Sequence, residues 1–114
     1  MTHDEALACA LALPEAVAHP HFDRTAVRAG KGRIFATFGR SGGMNVRLTP
    51  DEQPLFMESA ADVVAPVAGS WGRQGWTTVA LGSADRALVM SILTAAWRGA
   101  APKALLAANP SAQR

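Results

Sequence analysis

The sequence that decides the fold is RTAVRAGKGRIFATFGRSGGMNVR, residues 24–47. Three short runs within it alternate apolar and polar side chains, and two glycine-rich segments separate these runs. Alternation with a period of two is typical of strands that bury one face, and glycine accepts the positive φ angles of tight turns. We therefore predict strands at about 22–28, 33–38 and 44–48. They should pair antiparallel, because parallel pairing needs much longer connections.

The same alternation assigns side chains to the two faces of the predicted sheet. On the core face of the second and third strands we expect Ile34, Ala36, Phe38, Met44, Val46 and Leu48. On the opposite face we expect Arg33, Phe35, Thr37, Asn45 and Arg47. Arginine binds phosphate through two parallel hydrogen bonds, and an aromatic ring offers a surface on which a base can stack. Phe35 beside Arg33 would therefore suit a nucleic acid.

Positive charge is concentrated in residues 24–47. This stretch contains no Asp or Glu, and its basic residues are Arg24, Arg28, Lys31, Arg33, Arg40 and Arg47. The whole chain has 11 Lys+Arg and 9 Asp+Glu, so the other residues comprise five basic and nine acidic side chains, a net −4. Such asymmetry favours an anion-binding surface. A solvated sheet face that only keeps the protein soluble accounts for the same pattern equally well.

The segments on either side of this stretch predict three main helices and a fourth strand. Thr2 and Thr49 each precede a glutamate by three residues, which is the capping-box spacing at a helix start. Ser83 is the expected N-cap of the third helix, with Asp85 in its first turn. We also expect a strand at 76–81, a short helix at 102–108, a connection at 15–20, an extended or irregular segment at 63–66 and a glycine-rich loop at 69–75. This order predicts an α+β fold, an antiparallel sheet of about four strands with helices packed on one face.

Length and composition indicate a soluble globular protein. The 114 residues, 49% hydrophobic and 18% charged, fit a single domain spanning 1–114. Cys9 is the only cysteine, which excludes an internal disulfide, and its apolar neighbours predict a buried, unreactive thiol. The N-terminus lacks the basic region of a signal peptide, and the apolar run ending at Leu13 is too short to span a bilayer. We therefore expect a cytoplasmic protein with no membrane partner.

No motif that would indicate catalysis is complete. His19 and His21 are one residue apart, but no cluster of Cys, Asp or Glu completes a metal site, and a hydrogen bond to Asp23 is the alternative. The glycines around Ser41 lack the following lysine and helix of a phosphate loop. Ser41 itself lacks the strand-to-helix context of a nucleophile elbow. We therefore expect no catalytic residue, no metal site and no cofactor.

Five segments occur together in the order and spacing of a known family: 13–15 (LPE), 21–22 (HF), 32–36 (GRIFA), 45–48 (NVRL) and 73–76 (RQGW). They resemble the MmcQ/YjbR family of small bacterial proteins, and the likeness spans nearly the whole chain. The resemblance implies a compact α+β fold and a DNA-binding role in which β-hairpin wings approach the duplex. It brings no catalytic residue and no cofactor. Relatives tend to hold more charge before the tryptophan strand, where this chain has only Arg73 between the two tryptophans.

The basic stretch and the resemblance together predict a non-enzymatic DNA-binding module that makes mainly phosphate contacts with double-stranded DNA. The nucleic-acid-binding residues are expected to be Arg24, Arg28, Lys31, Arg33, Arg40, Arg47 and Arg73. The alternative is a module that binds a protein or a small ligand, with its site in a groove near Trp71 and Trp76. Salt-dependent binding of DNA separates the two hypotheses.

Overall fold

The computed structural model describes residues 1–21, 23–39 and 43–110, which form an antiparallel sheet and a set of helices. The strands are β1 (Ala16–His21), β2 (Arg24–Ala29), β3 (Ile34–Gly39), β4 (Gly43–Arg47), β5 (Val64–Pro66) and β6 (Trp76–Ala80). The helices are α1 (His3–Leu11), α2 (Glu52–Ser59), α3 (Ser70–Arg73), α4 (Arg86–Ala100) and α5 (Lys103–Ala108). The strand order is β1-β2-β3-β4-β6-β5. The predicted α+β class is confirmed, with six described strands instead of about four.

The two strands beyond the predicted four lie at the edges of the sheet, and β5 falls in the segment 63–66 that was predicted as extended or irregular. β1 contains Pro20, which cannot donate a ladder hydrogen bond and is therefore tolerated on an edge. None of its residues is fully buried, so its sequence carries no alternating apolar pattern. β5 has three residues, too few for a period of two to be visible. The first predicted strand was placed from Phe22, which lies outside the described residues, and β2 begins at Arg24.

Helices α1 and α4 cover one face of the sheet, and the core lies between the two layers. α4 contributes a buried stripe of side chains at helical spacing, namely Val89, Ile92, Leu93, Ala96 and Trp97. The Trp97 indole is fully buried, and its Nε1 donates to the Pro14 carbonyl oxygen at 3.0 Å. Cys9 is buried in the same core, as predicted. No helix in the described part of the chain has the length and apolar character that crossing a membrane requires.

A β-bulge between β2 and β3 changes the faces of two predicted side chains. Arg28 pairs with Ile34, whereas the residue before Arg28 pairs with Ala36, so Phe35 is an extra residue on β3. A bulge re-aims the side chains next to it. Phe35 is fully buried in the core, and Ile34 lies on the opposite face with Arg28. The predicted core position of Ile34 and the predicted base-stacking role of Phe35 are therefore wrong.

Both predicted capping boxes are present. The Thr2 backbone N–H donates to the Glu5 carboxylate at 2.9 Å, which holds the pKa of Glu5 below its usual value, and the Thr2 hydroxyl accepts from the Glu5 N–H. Thr49 and Glu52 make the same reciprocal pair at 2.9 and 3.1 Å. The chain therefore enters α2 at Thr49, although the regular helix begins at Glu52.

The predicted N-cap of the longest helix is wrong by two residues. Ser83 lies in a 3₁₀ turn over Leu81–Ser83, which continues directly from β6. Asp85 has the extended backbone of an N-cap, and its carboxylate accepts from the Leu88 N–H at 2.8 Å. Both residue types are good caps, so composition alone did not distinguish them.

Thr49→Ala is expected to lower the free energy of unfolding by about 1 kcal/mol. The substitution removes the Thr49 hydroxyl that accepts from the Glu52 N–H. Only the bond from the Thr49 N–H to the Glu52 carboxylate can then form. Urea denaturation followed by circular dichroism measures the change. Ser91→Ala on the exposed side of α4 is the control and should cost less than roughly 0.5 kcal/mol. Equal losses in the two variants would show that Thr49 does not cap α2.

Candidate nucleic-acid interface

The face of the sheet opposite α1 and α4, called the open face below, carries several of the predicted basic residues. Alternation with the buried side chains places on it Arg24, Ala26, Arg28, Ile34, Thr37, Asn45, Arg47, Trp76 and Thr78. Asn45 pairs with Thr37 on one side and with Thr78 on the other. Arg47 pairs with Trp76. The register therefore brings arginines of β2 and β4 beside the tryptophan of β6.

Arg24 and Arg28 are held on the open face by hydrogen bonds within the protein. Arg24 Nε donates to Thr37 Oγ1 at 2.9 Å, and its Nη2 donates to the Thr37 carbonyl oxygen at 3.1 Å. A Cβ at Gly39 would meet the Arg24 guanidinium, so glycine leaves it room. Arg28 Nη1 donates to the Gly32 carbonyl oxygen at 2.8 Å. These bonds fix two positive charges in position before any ligand arrives.

Arg33 and Arg47 line a common cleft, and their guanidinium groups have no hydrogen-bond or ion-pair partner within the described ranges. The cleft has a volume of about 340 Å³ and is lined by Arg28, Arg33, Ile34, Arg47, Trp71, Gln74 and Trp76. A cleft of about 180 Å³ adjoins it, with the same two arginines in its lining. No described acidic side chain lines either one. No carboxylate of the described residues therefore neutralises the positive charge of Arg33 and Arg47.

Two tryptophans border this cleft and connect it to a further one. Trp71 is 60% exposed and Trp76 is half-buried. Both also line a cleft of about 220 Å³ together with Arg24, Thr37 and Asn45. The 340 Å³ and 220 Å³ clefts thus share the two indoles, and together they are called the tryptophan groove below. The sequence indicated such a groove only as the site of the alternative function.

Close backbone contacts determine where Trp71 stands. The segment 69–75, predicted as a glycine-rich loop, contains the single helical turn α3. A Cβ at Gly72 would overlap the Val67 carbonyl oxygen, and one at Gly75 would overlap the Leu48 carbonyl oxygen. Gly75 also has a φ of 107°, which L side chains rarely adopt. The glycines therefore let this turn pack directly on β4 and β5, which places Trp71 at the edge of the sheet.

Gln53 of α2 fixes the same segment from the core side. Its Nε2 lies within hydrogen-bond distance of the Gly72 carbonyl oxygen (3.1 Å), the Trp76 carbonyl oxygen (3.2 Å) and Thr77 Oγ1 (2.9 Å). The Thr77 side chain is fully buried, so these contacts satisfy polar groups away from water. No sequence pattern indicated this role, because an amide near the start of a helix has no characteristic spacing to its partners.

Two of the predicted binding residues, Lys31 and Arg73, do not line the tryptophan groove. Lys31 lies in the turn between β2 and β3 and lines a separate cleft with Glu15 and Pro102, beside α5. Arg73 is exposed on α3 but does not line either half of the groove. Arg40 lies outside the described residues. The structure thus brings together Arg24, Arg28, Arg33 and Arg47.

No metal centre is visible in the described part of the chain, where no three His, Cys, Asp or Glu side chains lie close enough to hold an ion. His19 and His21 occupy β1, at the edge of the sheet, and neither lines the tryptophan groove. The buried Nε2 atom of His19 has no hydrogen-bond partner within the described ranges. The candidate site therefore consists of arginines, polar side chains and indoles.

Comparisons with known proteins agree with the architecture. A family model described as YjbR matches residues 11–99 of the chain. The comparison with curated proteins gives no match. The crystal structure of Deinococcus radiodurans protein DR2400, described with the family domain DUF419, superposes with a TM-score of 0.73 at 18% identity, over 94% of this chain and 86% of that one. At that identity the likeness establishes the fold alone. Because the family model spans most of its residues, this chain belongs to the YjbR family.

Proposed function

We propose that this protein is a non-enzymatic DNA-binding module whose open face contacts the phosphate backbone. The observation that carries the proposal is the pair Arg33 and Arg47, two guanidiniums in one cleft with no described carboxylate beside them. Each can form a bidentate hydrogen-bonded pair with a phosphate without breaking a bond inside the protein. Arg24 and Arg28 add positive charge at fixed positions on the same face.

Phosphate contacts should dominate this mode of binding. The described helix that borders the open face is α3, a single turn that is too short to lie in the major groove and read base edges. We expect weak sequence discrimination and a dissociation constant on the order of micromolar or weaker at physiological salt. If about four phosphates are neutralised, log affinity should fall against log salt concentration with a slope of roughly −4.

Arg33→Ala combined with Arg47→Ala is expected to flatten this slope by about two units, because two phosphate contacts are removed. The fold should persist, since Arg33 is exposed and neither side chain bonds to the described part of the protein. Fluorescence anisotropy of a labelled duplex across a salt series measures the slope. A urea melt of the double variant verifies that it remains folded.

Arg86→Ala combined with Lys103→Ala is the matched control. It removes the same charge from α4 and α5, at two positions that line neither half of the tryptophan groove. The control should change the overall affinity slightly and leave the slope within about half a unit of the wild-type value. Undetectable DNA binding at low salt, or equal slopes in the two double variants, would remove the proposal.

The second candidate function is recognition of a small ligand or protein segment in the tryptophan groove. The 60% exposure of Trp71 favours it, because an indole at the edge of a cleft provides apolar contact area for many ligands. Such binding would depend on Trp71 and would change little with salt, whereas phosphate binding weakens steeply as salt rises.

A further inference from the structure

We propose that the tryptophan groove binds unpaired nucleotides, with a base stacked on Trp71 and adjacent phosphates held by Arg33 and Arg47. This inference rests on the proposed DNA binding and specifies the state of the strand that the groove prefers. It follows from the combination of indoles, unpaired guanidiniums and polar side chains in one place.

Trp71 stands where a ligand can reach it. Its backbone is fixed by the contacts of Gly72 and Gly75, yet its indole remains 60% exposed instead of packing into the core. It borders both halves of the groove, and Trp76 does the same. Stacking on an aromatic side chain is available to every base, because every base has a π face. An exposed indole beside arginines is therefore suited to a strand of any sequence.

The arginines stand where a backbone crossing the sheet would pass. Arg28 and Arg47 belong to strands two positions apart in the sheet, which corresponds to about 10 Å. Arg33 lines the same cleft as both of them, together with the two indoles. A single strand lying across β2, β3 and β4 can thus place its phosphates on the guanidiniums and turn its bases toward the tryptophans.

An unpaired base makes better use of this groove than a base pair. In a duplex, stacked neighbours cover both faces of each base, so the indole would have to insert between them and break their stacking. Asn45 lines the 220 Å³ half of the groove together with both tryptophans, and its side chain has no hydrogen-bond partner among the described residues. Its amide can both donate and accept hydrogen bonds. It can therefore bind the Watson–Crick edge of a base, which is accessible only when the base is unpaired.

The test compares three fluorescently labelled probes of about 12 nucleotides, within the range of known single-strand site sizes. They are a single strand of mixed sequence, the duplex of that sequence, and an abasic strand with the same number of phosphates. The wild-type protein should bind the mixed single strand about tenfold more tightly than either of the others. Trp71→Ala should weaken binding of that strand about tenfold and leave the duplex and the abasic strand unchanged. Trp71→Phe, which keeps an aromatic plane, should restore most of the loss.

Leu55→Ala is the matched control, because Leu55 is similarly exposed, at 66% against 60% for Trp71, and lies on α2 outside the groove. It should leave all three affinities unchanged. Equal binding of the single strand and the duplex, with no effect of Trp71→Ala, would overturn this inference while leaving the proposed DNA binding intact. Failure to bind any probe at low salt would overturn both proposals. Equal loss for all three probes in a folded Trp71→Ala variant would also contradict stacking.

Discussion

Replacing Trp97 with alanine is expected to lower the free energy of unfolding by about 4 kcal/mol. The indole is fully buried between α4 and the sheet, so its removal leaves a cavity that the surrounding layers can fill only in part. The Pro14 carbonyl oxygen also loses the hydrogen bond from Nε1, which links α4 to the segment between α1 and β1. Domains of this size have total stabilities of roughly 5–15 kcal/mol, so much of the margin would disappear. Urea denaturation followed by far-ultraviolet circular dichroism measures the loss.

The same substitution at Trp71 is the matched control for Trp97→Ala. Because the Trp71 side chain is largely exposed, its loss should cost less than roughly 0.5 kcal/mol. Trp97→Phe keeps a ring in the core but removes the bond to Pro14, and it should fall between the two, at about 2 kcal/mol. If Trp97→Ala and Trp71→Ala were equally stable, the assignment of Trp97 to the core would be wrong.

The parts of the fold that follow from short-range patterns could be predicted from the sequence. The alternation in 44–48 correctly placed Met44 and Val46 inward and Asn45 and Arg47 outward, because β4 pairs regularly with both neighbours. The boxes at Thr2 and Thr49 are local as well, since each is completed within four residues. In these segments one face is buried and the other is exposed, so the pattern of apolar residues is sufficient to predict which side chains point inward.

Features that depend on a partner strand could not be predicted in this way. Phe35 lies in the core and Ile34 on the open face, the reverse of the prediction, because β3 holds one residue more than the matching part of β2. A bulge is a property of the pair of strands, and neither sequence alone reveals it. β1 likewise exists because β2 offers it a hydrogen-bonding edge, and its own residues remain mostly exposed.

The candidate site was predictable in its charges and not in its shape. The absence of acidic residues from 24–47 identified Arg33 and Arg47 as a group, and the structure places both in one cleft. The groove itself also needs Trp71, which comes from a distant segment and is positioned by backbone packing against β4 and β5. Conversely, Lys31 is close to the arginines in sequence but lines a separate cleft outside the groove.

Gly75→Ala is expected to lower the free energy of unfolding by about 3 kcal/mol. Two costs combine at this position: a φ of 107° is unfavourable for any L side chain, and the added Cβ would overlap the Leu48 carbonyl oxygen. That oxygen belongs to backbone, so the clash can be relieved only by moving the segment 69–75 away from the end of β4. The Gly75 carbonyl oxygen accepts from the Leu48 N–H at 3.0 Å and from Thr77 Oγ1 at 2.9 Å, and such a movement would strain both bonds.

Gly99→Ala in α4 provides the opposite expectation for the same change of side chain. A Cβ there meets no atom within 4 Å, and alanine is the better helix former, so stability should rise by up to about 1 kcal/mol. Urea melts of the two variants should therefore shift in opposite directions, and a shift in the same direction would contradict the close approach at Gly75. A movement of 69–75 would also displace Trp71 from the open face. Under conditions in which Gly75→Ala remains folded, binding of single-stranded DNA should therefore weaken relative to the wild-type protein, because the arginines persist while the Trp71 indole no longer faces them.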